Sequence, residues 1–370
     1  MDADSDYGIG QTANEKELAA AELPYRPRDP ENYRPAIGLI GCGGISEMHL
    51  RAYQNAGYKV VALCSRSREN VDRRRDEFFP QADTYLDYRD LLARDDIEVV
   101  DITTHPQERV PIIEAAIDAG KHILSQKPFV VDLDIGLALV DRAEARGVYL
   151  AVNQNGRWAP HFSYLRHALS AGLLGALCSA NFSVHWDHRW IAGTPFEAVE
   201  DLVLYDFGIH WFDMAAVLLT GRPVLSVYAS VARSPGQGVR PPLLAQVSIQ
   251  CADAQIALFF NGATSVGQRD RTYVAGTLGS FESIGPDLTD QSAILHTRDG
   301  VMRPALQGTW FNEGFHGAMA ELLCAIAEKR EPQHGARGNL HSLALCFAAV
   351  ASSRSGQAVV PGQVRCLPSK

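Results

Sequence analysis

The sequence predicts an α/β protein in two parts. The first is a parallel sheet wrapped by helices on both faces; the second is an α/β domain with a large open, mainly antiparallel sheet. Three observations carry this reading. Strand-like apolar runs and helix-like segments alternate between about residues 36 and 152, the pattern of a parallel sheet with crossover helices. From about Gly156 the alternation stops, and short strand-like runs follow one another with turn residues between them, which marks antiparallel pairing. At 370 residues and 46% hydrophobic content, the chain is long and apolar enough for two cores. The parts read as an arm over 1–34, a first domain over 35–155 and a second over 156–370.

The arm opens Met-Asp-Ala-Asp-Ser-Asp and then turns Pro-rich, the opposite of a signal peptide's basic start. An apolar run at 37–40 then breaks into Gly41-Cys42-Gly43-Gly44-Ile45-Ser46. An amphipathic segment follows, with Ile45, His49, Ala52, Tyr53 and Ala56 in its apolar pattern. This is a strand, a tight turn and a helix start. Backbone N–H groups at a helix N-terminus attract anions, and glycines let a pyrophosphate approach them. The spacing is Gly-x-Gly-x-x-Ser, with Ser46 small enough to keep helix and strand close. In this context the loop reads as a dinucleotide site.

Further strands are expected at 60–64, 99–103, 122–125 and 149–152, with helices at 69–79, 110–119 and 133–145. Ligands of such a sheet gather at the carboxyl ends of its strands. In the second part, helices are expected at 161–171 and 205–219, and strands at 176–185, 224–231, 245–250, 255–261, 271–275, 279–283 and 293–296. Closing helices are expected at 314–329 and 340–352.

Composition removes several function classes. The formal net charge of −9 and the lack of a basic tract argue against nucleic acid as partner. No apolar stretch approaches the ~20 residues of a membrane span. The seven cysteines are scattered, odd in number and free of Cys-x-x-Cys, which reads as reduced thiols and a cytoplasmic home.

Three segments carry candidate chemistry. Lys127, in Ser125-Gln126-Lys127-Pro128, follows the fourth strand and so falls near the cofactor end; alone it reads equally as a solvated loop lysine. Asp206 and His210 stand four apart, with Asp213 just beyond. On a helix such a pair shares a face, and a carboxylate beside an imidazole fixes its tautomer. Asp206 also fits a plain helix cap. In His185-Trp186-Asp187-His188-Arg189-Trp190, the His-x-x-His spacing puts the two rings on opposite faces of a strand, with no second ligand cluster. No metal is expected. The segment reads either as a polar, aromatic wall for a sugar-sized ligand or as a surface loop.

Together these motifs resemble the glucose–fructose oxidoreductase/inositol dehydrogenase/rhizopine-catabolism (Gfo/Idh/MocA) family from about Ala36 to Gly362. The carrying residues are Gly41-Cys42-Gly43-Gly44-Ile45, Ala119-Gly120-Lys121-His122, Gln126-Lys127-Pro128, Arg157-Trp158 and Asp206-Phe207-Gly208-Ile209-His210. Glu331-Pro332 and Ser353-Arg354-Ser355-Gly356 complete the pattern. The resemblance implies a Rossmann domain, then a domain whose open sheet pairs subunits into a homodimer or homotetramer. It implies that Lys127 lies between nicotinamide and substrate, and that Asp206 and His210 approach from the second domain. Thr104 and His105 occupy the loop that meets the nicotinamide half, with Arg109 where a histidine is frequent. Gln126 replaces a glutamate, Lys127-Pro128 is a candidate cis peptide, and Asn155 and Arg157 match positions facing nicotinamide or substrate.

The expected activity is hydride transfer between NAD(P) and a secondary alcohol of a sugar, inositol or sugar derivative. His210 serves as base, Asp206 orients it, and Lys127 steadies the alkoxide. Arg157, Trp158, His185 and Trp186 are expected to complete the substrate site. Glycoside cleavage with retained NAD and a silent sensor of the same fold are the alternatives. At the end of the second strand, Ser65 stands where NAD-selective domains carry an acid, and Arg66 follows. This favours NADP, with NAD the alternative.

Overall fold

In the computed structural model, residues 16–368 are described; the acidic opening of the arm lies outside them. The first sheet has six parallel strands, in spatial order Asp83–Tyr85, Lys59–Cys64, Ala36–Ile40, Ile97–Ile102, His122–Gln126 and Leu150–Asn153. Side chains alternate along each strand, so the central strand serves both faces. Ile37 and Leu39 join Leu50 and Tyr53 of helix Ser46–Asn55, while Ile40 turns to the opposite core with Ile113 and Ile117 of helix Pro106–Asp118. The strand at 83–85 and the short helix Tyr88–Leu92 were too brief to show a period in sequence.

The second sheet has nine strands, in order Glu17–Leu18, Gly300–Met302, Ser292–Thr297, Gly279–Gly285, Arg269–Gly276, Leu177–His185, Gln255–Asn261, Leu244–Cys251 and Val224–Ala232. It is antiparallel except at two pairings: the first two strands of that order, and Leu177–His185 beside Gln255–Asn261. Ala180, Phe182, Val184, Val247, Ile249, Leu258 and Phe260 face inward and are buried. Leu225, Tyr228 and Tyr273 stand exposed on the other side.

The described part of the arm returns to its own chain. Glu17 and Leu18 add a parallel edge strand, Tyr25 packs on Tyr164, and Asp29 meets His316 and Tyr58. The two closing helices, Trp310–Glu328 and Ala336–Ser355, also cross back. Phe315, Met319 and Leu322 enter the same core as Ile37 and Leu50, so a helix from the end of the chain covers the beginning of it.

One expected helix differs. In place of one helix over 205–219 the chain forms a wide π turn, Leu202–Phe207, followed after Gly208 by an α-helix, Ile209–Leu218. The Gly208 amide bonds back to the Val203 carbonyl at 2.7 Å. A Cβ on Gly208 would lie 2.7 Å from that same oxygen and 2.8 Å from the Leu204 oxygen. Only glycine closes the turn so tightly.

Candidate active site

The carboxyl ends of the first sheet open into a cleft of ≈ 810 Å³ that reaches the π turn of the second part. Its floor is the glycine loop. Gly41 has φ +112°, and a Cβ there would lie 2.9 Å from Thr103 Oγ1, so this glycine is required by the chain itself. Gly43 and Gly44 are different: neither has a positive φ, and a Cβ on either meets nothing within 4 Å. Their bareness serves the space above them, into which a phosphate-bearing ligand fits. Helix Ser46–Asn55 starts at this point with no side-chain cap, leaving its positive end for an anion. The glycine loop therefore fits a dinucleotide pyrophosphate.

Ile45, Ser65 and Arg66 line one end of the cleft, and Thr104 and His105 a side wall. Arg66 pairs with Glu108 at 2.6 Å and is largely exposed; Arg68 turns to Thr84 and Asp72. Gln126, Lys127 and Pro128 form the far wall, with a cis peptide between the last two.

Lys127 and Asp206 meet across the cleft. Lys127 Nζ donates to the Asp206 carbonyl at 2.9 Å and lies 3.5 Å from Asp206 Oδ1, both side chains being less than one-fifth exposed. His210 lies four residues further along, half-buried and outside the residues that line the cleft, its ring perpendicular to Trp310 at 5.6 Å. Its Nδ1 is buried without a hydrogen-bond partner. Burial first, and the Lys127 charge second, hold the imidazole well below its ordinary pKa. The expectation that Asp206 orients His210 is corrected here. In the π turn the two no longer stand one α-turn apart, and Asp206 is engaged by Lys127 instead.

Several expected substrate residues are drawn elsewhere. Arg157 is buried and forms a two-pronged pair with Asp213, Nε to Oδ2 at 2.6 Å and Nη2 to Oδ1 at 2.7 Å, and also donates to the Gln333 carbonyl. Trp158 is buried against Gly317 and His334. Asn155 is buried in the same short 3₁₀ turn, its backbone under Gly314. None of the three lines the cleft. Their segment is polar and turn-like in sequence, but its docking against the last two helices could be seen only in three dimensions. His185 bonds Ser183 Oγ at 2.9 Å and stacks by Phe259, while Trp186 packs on Trp211 beneath the π turn. In their place, Pro195 and Phe196 from the following loop reach the cleft.

In sequence Arg109 stands only as a departure from the pattern of the family the chain resembles. Fully buried, it donates to the carbonyls of Thr104, Gln126 and Pro128, and so ties the side wall to the far wall. Burial lowers its pKa to about 10, which leaves it charged at neutral pH. Among the described residues, no three or more His, Cys, Asp or Glu gather as metal ligands, and no helix is long and apolar enough to cross a membrane.

Comparison with known proteins agrees with this architecture. Residues 36–154 match a family model described as "Oxidoreductase family, NAD-binding Rossmann fold", and residues 162–282 match the GFO/IDH/MocA C-terminal domain. The chain is 28% identical to a D-apiose dehydrogenase of Paraburkholderia graminis over 87% of this chain and 88% of that one. It is 27% identical to an inositol 2-dehydrogenase of Rhizobium meliloti over 85% and 96%. Among solved structures, a putative myo-inositol dehydrogenase from Sinorhizobium meliloti superposes with TM-score 0.74 at 25% identity, covering 89% of this chain and all of that one. An oxidoreductase from Agrobacterium radiobacter, solved with NAD+, L-tartaric acid and magnesium, shares the fold with TM-score 0.79 at 23% identity, over 89% and 99%. With both domain models matched in order over more than half its length, and with the glycine loop, Lys127 and His210 arranged as described, this chain belongs to the Gfo/Idh/MocA family of NAD-binding oxidoreductases.

Proposed function

We propose that the protein transfers a hydride between NAD(P) and a secondary alcohol of a sugar, cyclitol or close derivative, with Lys127, Asp206 and His210 as its catalytic groups. The observation that carries the reading is the Lys127–Asp206 contact across the cleft, with a neutral His210 near enough to feel the Lys127 charge. A dinucleotide held with its pyrophosphate at the glycine loop would supply, through its nicotinamide, the hydride acceptor or donor. The rest is done by this chain's residues. His210 Nδ1 is enclosed, so Nε2 is the nitrogen that takes the hydroxyl proton as the alcohol is oxidised, and returns it in the reverse direction. The Lys127 ammonium steadies the oxygen on which negative charge develops. Asp206 Oδ1 holds the ammonium and accepts from a substrate hydroxyl. Relatives named for D-apiose and inositol support a polyol substrate.

The test is a screen of the purified protein for NAD and NADP reduction against sugars, inositols and sugar acids. Turnover on at least one polyol, lost in His210→Ala, supports the reading. A panel with no cofactor reduction but with release of a leaving group from glycosides overturns it.

Three finer points belong to the same proposal. NADP is the preferred cofactor, since Ser65, Arg66, Ser67 and Asn70 line that end of the cleft; equal loss of NAD and NADP binding in Arg66→Ala refutes this. The exposed face with Tyr228 and Tyr273 pairs with a second copy, and a monomer in sedimentation at micromolar concentration refutes it. The division at 35–155 and 156–370 and a cytoplasmic location complete the proposal, the latter supported by seven unpaired cysteines.

A further inference from the structure

Beneath Lys127, a chain of buried polar side chains runs from the cleft wall into the first sheet. The Lys127 amide donates to Gln126 Oε1 at 2.7 Å. Gln126 Nε2 lies 3.1 Å from His49 Nε2, and Asn153 Nδ2 lies 3.2 Å from the same nitrogen. On the other side of the ring, His49 Nδ1 lies 2.7 Å from Asp101 Oδ2, which also accepts from Tyr53 Oη at 2.6 Å. His49, Tyr53, Asp101 and Asn153 are fully buried and Gln126 is 5% exposed. The ionisable groups against His49 are Asp101 and Tyr53. Gln126, Asn153 and the Phe315 ring at 4.3 Å complete its surroundings, and the Arg109 charge is felt at Asp101.

Donor and acceptor accounting leaves one arrangement. The Lys127 N–H is a fixed backbone donor, so the group 2.7 Å from it must be the Gln126 oxygen; the flipped amide would set two donors face to face. The Gln126 NH₂ then faces His49 Nε2, which must be a bare acceptor. Nδ1 therefore carries the ring proton and donates it to Asp101. A carboxylate at position 126 would face Nε2 with a second acceptor, and the chain would close only by taking up another proton, on His49 or on the carboxylate itself.

We propose that Gln126 is a positioning residue for Lys127, and that the buried Asp101–His49 pair requires an amide at position 126 by holding His49 as the neutral Nδ1–H tautomer. Its value for turnover rests on the reading of Lys127 as a catalytic group; the tautomer does not.

The test uses the full chain labelled with ¹⁵N-histidine and long-range ¹H–¹⁵N correlation, with the His49 signals identified by their loss in His49→Gln. The native protein is expected to show His49 with Nδ1 protonated and Nε2 bare at neutral pH. Gln126→Glu is expected to show both nitrogens protonated, or the extra proton on the introduced carboxyl. A native His49 protonated at Nε2, or a Gln126→Glu protein that takes up no extra proton on His49 or on the introduced carboxyl, overturns the assignment. On a substrate found by the screen above, Gln126→Met is expected to lower kcat about tenfold with little change in KM, the size of one lost hydrogen bond. Gln126→Glu is expected to lose turnover as pH rises, and His49→Gln with Gln126→Glu to remove that pH dependence. Native kcat at every pH in both single variants at position 126 refutes the positioning role. A screen that finds no dehydrogenase substrate removes the functional reading and leaves the NMR result to decide the tautomer.

Discussion

Replacing Arg157 with Met separates a substrate-binding guanidinium from a structural one. In the fold, this guanidinium makes two charge-assisted bonds to Asp213, at 2.6 and 2.7 Å, and a third to the Gln333 carbonyl. The Asp213 side chain is 1% exposed, and its other partner is Ser342 Oγ at 2.9 Å. Removing the arginine therefore leaves a carboxylate in the interior with a single neutral donor. Breaking a buried ion pair in this way costs about 3–5 kcal/mol, most of it from the charge left behind. A double variant, Arg157→Met with Asp213→Leu, removes that stranded charge and should recover most of the loss, because apolar groups of similar volume often replace a buried pair at little cost. The coupling from the full cycle should be about 2 kcal/mol or more. The assay is chemical unfolding of the four proteins followed by circular dichroism, with KM measured on whatever folds. An Arg157→Met protein as stable as the native one, with KM raised tenfold, would place the guanidinium on the substrate and refute this account.

Lys127→Ala and His210→Ala should each lower turnover by at least ~10²-fold, the usual scale for an acid–base or oxyanion group; steady-state kinetics with normal melting curves checks this, and near-native turnover in His210→Ala removes it as base. Gly43→Val should weaken dinucleotide binding, followed by calorimetry, while leaving the melting temperature of the free protein within a degree or two, since a side chain there meets open space. Gly41→Ala should instead destabilise the fold itself, because of its positive φ and the 2.9 Å approach to Thr103. Stability should fall on acidification below about pH 6.5. Burial depresses His161 to about 3 and His188 to about 4, and pushes His210 and His334 well down. As pH drops through the unfolded value, the unfolded chain binds protons that the folded one refuses. Each such group then removes up to about 1.4 kcal/mol per pH unit until its folded value is reached. Flat stability between pH 7 and 5 in urea titrations would contradict the burial of these rings.

What depends on near neighbours is legible in the chain's own residues. The alternation of apolar runs and helices made the first sheet parallel, because a crossover helix is the short way to join parallel strands. Gly41-x-Gly43 before an amphipathic segment fixed a strand, turn and helix start, and with them the end of the sheet at which Lys127 stands. Tertiary structure alone decided what depends on which distant group fills a gap. Asp206 and His210 looked like a pair four residues apart, but Gly208 permits a π turn, and Asp206 turns to Lys127, 79 residues away. Arg157 looked available to substrate, yet Asp213 and Gln333, 56 and 176 residues on, take up its donors. Gln126 read as a lost charge; against His49 and Asp101 it is a neutral amide able to donate to an imidazole while accepting from a peptide. A buried polar atom must find a partner wherever the fold presents one, and sequence spacing carries no record of that partner once it lies on another element.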